Sequence, residues 1–128
     1  AGKRTVDFNI SHSGEFILAV FAVGMDIGVD VQEMAECPDY REIAENFYTA
    51  EEAEDVKNEG PDLFFQYWAA KEAYVKALGI GLGRGMDFFS VRNGKIAEKD
   101  KKDQDWFLYP VRIKGYAAYV AAHKKGDR

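Results

Sequence analysis

The stretch GPDLFFQYWAAKEAYVKALG, residues 60–79, constrains the fold of this chain more than any other. Pro61, directly after Gly60, suits the first turn of a helix, where a missing N–H costs nothing. Phe64, Trp68, Val75 and Leu78 then recur at helical intervals. The helix must stop at GIGLGRG, residues 79–85, where four of seven positions are glycine and a loop follows. A long helix with an apolar face needs a surface to lie on, and the flanking sequence supplies strands. Residues 6–12 and 15–23 read as strands, the second apolar on both faces and therefore either central in a sheet or covered by a partner. VGMDIG then turns the chain into a strand at 28–32. From 39 to 57 the pattern is helical, and Thr49 three residues ahead of Glu52 has the capping-box spacing that starts a helix near residue 50. Beyond the glycines come DFFSVR, the hairpin signal Asn93-Gly94, and the run EKDKKDQD at 98–105, read as a solvated loop. Two strands follow, WFLYPVRI and YAAYVAA, joined through Lys114-Gly115. The expected class is α+β, an antiparallel sheet packed on helices in one domain over residues 1–128.

Composition narrows the function. With 128 residues, 47% of them hydrophobic, the chain can bury a core. Its net charge of −5 and pI near 5.1 lack the basic footprint of nucleic-acid binding, so no nucleic-acid partner is expected and anionic ligands must be met locally. No apolar run has membrane-spanning length and nothing N-terminal resembles a signal peptide, so no membrane association and a cytoplasmic location are expected. One cysteine, Cys37, and two histidines, His12 and His123, exclude an intrachain disulfide and a thiolate or His-rich metal centre. Any metal would be held mainly by oxygen.

Three segments could carry chemistry. In GVDVQE, residues 28–33, side chains alternate, so Asp30 and Gln32 look one way and Val29 and Val31 the other. That suits a solvated face and the wall of a polar site equally. In the long helix, Trp68 and Glu72 share a face, Lys71 and Glu72 diverge enough to flank one cleft, and Glu72 and Lys76 have the spacing of a surface ion pair. FNISHSGEF, residues 8–16, crowds Asn9, Ser11, His12 and Ser13 beside Gly14. This is a turn whose polar groups bond their own backbone, or a donor set for phosphate oxygens. Together the three segments give oxygen ligands for Mg²⁺ beside anion-binding groups, as phosphate chemistry requires.

FNISHSG, GVDVQ and FYTAEE…WAAKEAYVKALGIGL, in that order and spacing, resemble the signature motifs of surfactin-type 4′-phosphopantetheinyl transferases. The resemblance runs from about residue 8 to the C-terminus. It implies transfer of the phosphopantetheine arm of coenzyme A to a serine of an apo acyl or peptidyl carrier protein, with Mg²⁺ and release of 3′,5′-ADP. It implies that Asp30 and Glu72 are metal ligands with residue 32 as the third, that Ser11 and His12 contact coenzyme A phosphates, and that Lys71 and Lys76 lie near the pyrophosphate. Glu52 matches the family's candidate base for the carrier serine, a role that competes with its place in the capping box. Glu72, through a metal-bound water, is the other candidate for taking the serine proton, and Lys76 for neutralising the leaving phosphate. Carrier recognition is expected from residues 34–46, with Arg41, and from the loop containing Arg84.

Two departures from the family stand out. Position 32, often a carboxylate, is Gln32, whose amide oxygen can still ligate Mg²⁺ or hold a coordinated water but removes one negative charge. Surfactin-type enzymes also resemble two similar halves around a cleft, and only about seven residues precede FNISHS here. The chain therefore matches one half of that pseudo-dimer, with the other half supplied by a longer chain, by a partner, or by homo-oligomers like those of the small trimeric synthases. The rival to an active transferase is a noncatalytic carrier-protein or nucleotide-binding module that kept the fold.

Overall fold

The computed structural model describes residues 6–81, 85–98, 101 and 105–125. Three strands open the chain, β1 (Val6–Ser13), β2 (Phe16–Val23) and β3 (Met25–Glu33). Three helices follow, α1 (Tyr40–Phe47), α2 (Ala50–Glu59) and α3 (Pro61–Leu78). The C-terminal part contributes β4 (Phe89–Ser90), β5 (Ala97–Glu98), β6 (Phe107–Pro110) and β7 (Tyr116–Lys124). The strand at 28–32 begins three residues earlier than its pattern suggested, because Gly24 alone, at φ 69°, makes the turn out of β2. The signal at Asn93-Gly94 produces a short 3₁₀ turn, Arg92–Gly94, and the strands on either side pair for only two residues each. Arg84 and much of the charged run at 98–105 lie outside the described residues.

The main sheet has the order β3-β7-β6, with both pairings antiparallel. α3 lies across β3 and β7, and the fold is α+β as its patterning implied. Gly28 explains how closely helix and strand approach. A side chain there would collide with the Ala73 carbonyl oxygen and the Ala77 nitrogen, so only a residue without Cβ lets the α3 backbone touch the strand. Two strand residues advance about 6.6 Å and four helical residues about 6 Å. Along the same face of β3, Asp30 lies near Glu72 and Lys76, and Gln32 lies beside Phe65 and Trp68.

α2 begins as its capping box requires. Thr49 Oγ1 accepts from the Glu52 amide at 3.1 Å, and Glu52 Oε1 accepts from the Thr49 amide at 3.0 Å. α3 starts at Pro61 and ends at Gly79, at φ 71°, as the C-terminal glycine signal demands. The core joins Val56 of α2, Phe64, Ala69, Ala73 and Tyr74 of α3, Met86 and Phe89 beyond it, and Ala117 and Ala121 of β7. None of the described helices is long and apolar enough to cross a membrane.

β1 and β2 form a separate antiparallel hairpin. β2 is therefore not the central strand that its apolar faces allowed. One hairpin face pairs Val6 with Val23, Phe8 with Phe21, and His12 with Ile17. It is open to solvent, with Phe8 63%, Phe21 69% and Ile17 74% exposed. The other face, carrying Asn9, Ser11 and Ser13, leans on the free edge of β3.

Candidate functional site

Where β3 crosses α3, Asp30, Glu72 and Lys76 converge. Asp30 is mostly buried, and burial together with the neighbouring Glu72 carboxylate pushes its pKa up to about 7, against the opposing pull of Lys76 and a hydrogen bond from Ser11. Burial likewise raises the Glu72 pKa, opposed by Lys76, and lowers that of Lys76, opposed by both carboxylates. One oxygen of Asp30, Oδ1, accepts a long 3.4 Å bond from Ser11 Oγ. The other, Oδ2, is buried without any hydrogen-bond partner. Two crowded carboxylates, one with an orphaned buried oxygen, suit a small divalent cation, which would supply the missing partner and relieve the repulsion.

The donor set fits Mg²⁺ better than a metal held wholly by protein. Among the described residues no group of three or more His, Cys, Asp or Glu could hold a metal. Asp30 and Glu72 are two carboxylates, and Mg²⁺ commonly takes one or two of these and fills its octahedron with water and phosphate oxygens. Gln32 points to the same side as Asp30 but faces a different neighbourhood. It lines a slot of about 210 Å³ with Ile43, Phe64, Phe65 and Trp68, and its Nε2 donates to the Glu33 carbonyl at 3.3 Å. Its side chain carries an amide oxygen on the Asp30 side of β3.

Lys76 Nζ donates to the carbonyls of Ile10, at 2.8 Å, and Val29, at 2.7 Å, bridging β1 and β3. An ammonium has three N–H donors, so one remains for the carboxylates or for an incoming phosphate oxygen.

Lys71 and Glu52 are not part of this pocket. Lys71 Nζ meets Glu52 Oε1 at 2.7 Å with both side chains 0% exposed. Its other two donors go to the carbonyls of Met86, at 2.7 Å, and Phe89, at 2.6 Å. Glu52 Oε2 accepts from the Val91 amide at 2.8 Å. All three lysine protons and both carboxylate oxygens are thus engaged inside the core, against the Phe89 ring. Lys71 has no donor for a pyrophosphate and Glu52 no access to a serine hydroxyl, which corrects both readings. The signal was present in the sequence: Phe64, Lys71, Val75 and Leu78 fall on one helical stripe, and a charge at a buried stripe position requires an internal partner.

Ser11 and His12 diverge as well. They are neighbours on a strand and so project to opposite faces of β1. Ser11 is 8% exposed; its Oγ lies 3.4 Å from Asp30 Oδ1 and accepts from the Val31 amide at 3.0 Å, so in this structure the hydroxyl faces β3. His12 stands exposed on the solvent face.

A second cleft, of about 700 Å³, opens on the opposite side of α3 between Leu63, Gln66, Tyr67 and the turn from Pro110 to Gly115. It contains none of the candidate metal or phosphate residues. Arg41, proposed for carrier recognition, is exposed on α1 with its guanidinium 5.4 Å from the centre of the Tyr40 ring.

The chain is similar to several known proteins. The chain is 38% identical over 89 residues to the 4′-phosphopantetheinyl transferase Sfp of Bacillus subtilis, a match covering 66% of this chain and 38% of that protein. It is 29% identical over 144 residues to the L-aminoadipate-semialdehyde dehydrogenase-phosphopantetheinyl transferase of Rattus norvegicus, covering 94% of this chain and 47% of that one. The chain thus spans less than half the length of either relative. Its fold is similar to that of a holo-(acyl-carrier-protein) synthase from Bacillus anthracis solved in complex with CoA (3′,5′-ADP), with a TM-score of 0.60 at 23% identity, over 79% of this chain and 96% of that one. The family model of the 4′-phosphopantetheinyl transferase superfamily matches residues 26–122, from the first turns of β3 through α3 to the end of β7. With Asp30, Glu72 and Lys76 all inside that span, the chain belongs to the 4′-phosphopantetheinyl transferase superfamily.

Proposed function

We propose that this chain is the metal-binding half of an enzyme that moves the 4′-phosphopantetheine arm of coenzyme A onto a serine of an apo acyl or peptidyl carrier protein, releasing 3′,5′-ADP. The observation that carries this reading is the convergence of the partly buried Asp30, Glu72 and Lys76, with Asp30 Oδ2 lacking a hydrogen-bond partner. Mg²⁺, held by Asp30 and Glu72 with Gln32 as a third oxygen, would neutralise the pyrophosphate oxygens.

The protein's own groups supply the rest. Lys76, anchored by two carbonyls, presents its remaining N–H to the phosphate that leaves with ADP. Glu72 accepts the serine proton as the serine oxygen bonds to the phosphorus bearing the arm and the bond from that phosphorus to the ADP phosphate breaks. In the metal-free protein, burial raises the Glu72 pKa above that of an exposed carboxylate, opposed by Lys76. The slot beside Trp68 takes the apolar part of the arm. His12, exposed on the hairpin, is the donor left for a coenzyme A phosphate.

The open apolar face of the β1–β2 hairpin is where this reading places the second half of the cleft, whether from a longer chain, a separate protein or another copy. A cytoplasmic location belongs to the same reading. The test is to incubate the chain with coenzyme A, Mg²⁺ and an apo carrier protein and to look by intact mass for the phosphopantetheine adduct, while light scattering reports assembly. No adduct from an assembled chain would overturn the transferase reading in favour of a noncatalytic carrier-protein or nucleotide-binding module.

A further inference from the structure

The edge of β3 that faces away from β7 does not end in water. Its alternate amides, Val29, Val31 and Glu33, donate to Asn9 Oδ1 at 2.9 Å, Ser11 Oγ at 3.0 Å and Ser13 Oγ at 2.8 Å. Each pair is separated by the same 20 residues, so β1 runs parallel to β3 in strict register. The two strands nevertheless belong to different sheets. Side-chain oxygens on one face of β1 occupy the places where the carbonyls of a neighbouring strand would sit. Lys76 closes the same gap from α3 by bonding the carbonyls of Ile10 and Val29.

We propose that Asn9, Ser11 and Ser13 form a side-chain comb that sets the position of β3, and that Ser11 is a positioning residue for the metal ligand Asp30. This rests on the assignment of Asp30 as a Mg²⁺ ligand. The middle tooth is the only one that touches both the backbone and the functional side chain of β3. Ser11 Oγ accepts from the Val31 amide and lies 3.4 Å from Asp30 Oδ1, while Oδ2 is buried without a hydrogen-bond partner. The two peptide planes that flank Asp30 and orient its Cα–Cβ bond are held by Ser11, through the Val31 amide, and by Lys76, through the Val29 carbonyl. The outer tooth, Ser13, grips Glu33 near the surface and touches no site residue, which makes it an internal control.

The experiment compares Ser11→Ala, Ser11→Thr and Ser13→Ala in the full chain. Amide hydrogen exchange should rise at Val31 in Ser11→Ala and at Glu33 in Ser13→Ala, and Ser11→Thr, which keeps the oxygen, should restore Val31. Mg²⁺ titration by calorimetry should show several-fold weaker binding in Ser11→Ala alone, while coenzyme A titrated without Mg²⁺ binds all three variants and the parent equally. A Ser11→Ala protein with unchanged Val31 exchange, or with weakened coenzyme A binding and unchanged Mg²⁺ binding, overturns the proposal. Should Ser11→Ala not fold, Ser11→Cys takes its place, read at Val31 exchange and Mg²⁺ affinity. None of these readouts needs transfer activity. A parent chain that binds no Mg²⁺ while the exchange pattern holds removes the assignment of Asp30 as a ligand and leaves the comb standing.

Discussion

Lys71 and Glu52 form an ion pair 2.7 Å long that no solvent reaches, inside a core otherwise built of aromatic and small apolar side chains. Removing either partner strands the other charge, at a cost of about 3–5 kcal/mol. Glu52→Ala or Lys71→Ala should therefore lower the urea midpoint sharply. A Glu52→Leu/Lys71→Met double variant should recover much of the loss. A Glu52→Ala protein of parental stability would show that the pair is not the internal fastening described here.

Glu72 should behave in the opposite way. It is half-buried, its charged form is disfavoured by burial, and no core contact depends on its carboxylate. Glu72→Ala should leave the unfolding midpoint unchanged or slightly raised. Phosphopantetheine transfer should fall by at least about 10²-fold, the usual scale for a general base. Full activity in that variant, followed by intact mass of the carrier, would remove Glu72 from the reaction.

Asp30 makes the metal-free protein sensitive to pH. Its pKa is about 7 in the fold against 3.8 unperturbed, so the folded state holds a proton that the unfolded chain has released. The stability tied to that proton is whole below about pH 3.8 and is lost as pH rises through about 7. Denaturation followed across this window without divalent cations should show stability falling with pH. Asp30→Asn should flatten that component, and an equal slope in the variant would assign the dependence to other groups.

Gly28→Ala tests the helix–strand contact on which the site depends. A methyl group there meets the α3 backbone, which cannot rotate aside as a side chain would. Such overpacking costs about 1–3 kcal/mol. Because it also pushes α3 away from β3, Mg²⁺ affinity should fall together with stability. Unchanged affinity in a destabilised variant would mean that the spacing of Asp30 and Glu72 is set elsewhere.

Gln32→Glu should restore a negative charge beside the pocket and lower the Mg²⁺ concentration needed for half-maximal transfer. Since Gln32 borders the Trp68 slot, the substitution also places a carboxylate against aromatic rings. Unchanged Mg²⁺ dependence would take position 32 out of the metal site.

The helices were legible because their boundaries are chemical. Thr49 and Glu52 spell a cap, Pro61 a first turn and Gly79 a stop, and each acts over a few residues. Asp30 and Glu72 were legible through alternation and helical spacing combined with motif order. What stayed hidden is long-range. The apolar run at 16–23 has no local feature that distinguishes a central strand from one side of a detached hairpin. Periodicity around Lys71 and Glu72 does not say which of two adjacent charges turns inward, although the stripe through Phe64 and Val75 favoured Lys71. Ser11 and His12 read as one donor cluster because adjacency in sequence conceals that a strand sends neighbours to opposite sides.

The side-on attachment of the hairpin also bears on how freely its sequence can drift. An ordinary strand joins a sheet through its main chain, so nearly any residue of suitable bulk is tolerated along it. β1 joins through Asn9, Ser11 and Ser13, which must each place an oxygen a short reach from the backbone. Its odd positions carry a narrow alphabet of small oxygen-bearing side chains, while Val6, Phe8 and Ile10 answer only to whatever covers them. A strand that looks merely amphipathic thus has two faces with separate chemical requirements, hydrogen-bonding reach on one and apolar bulk on the other.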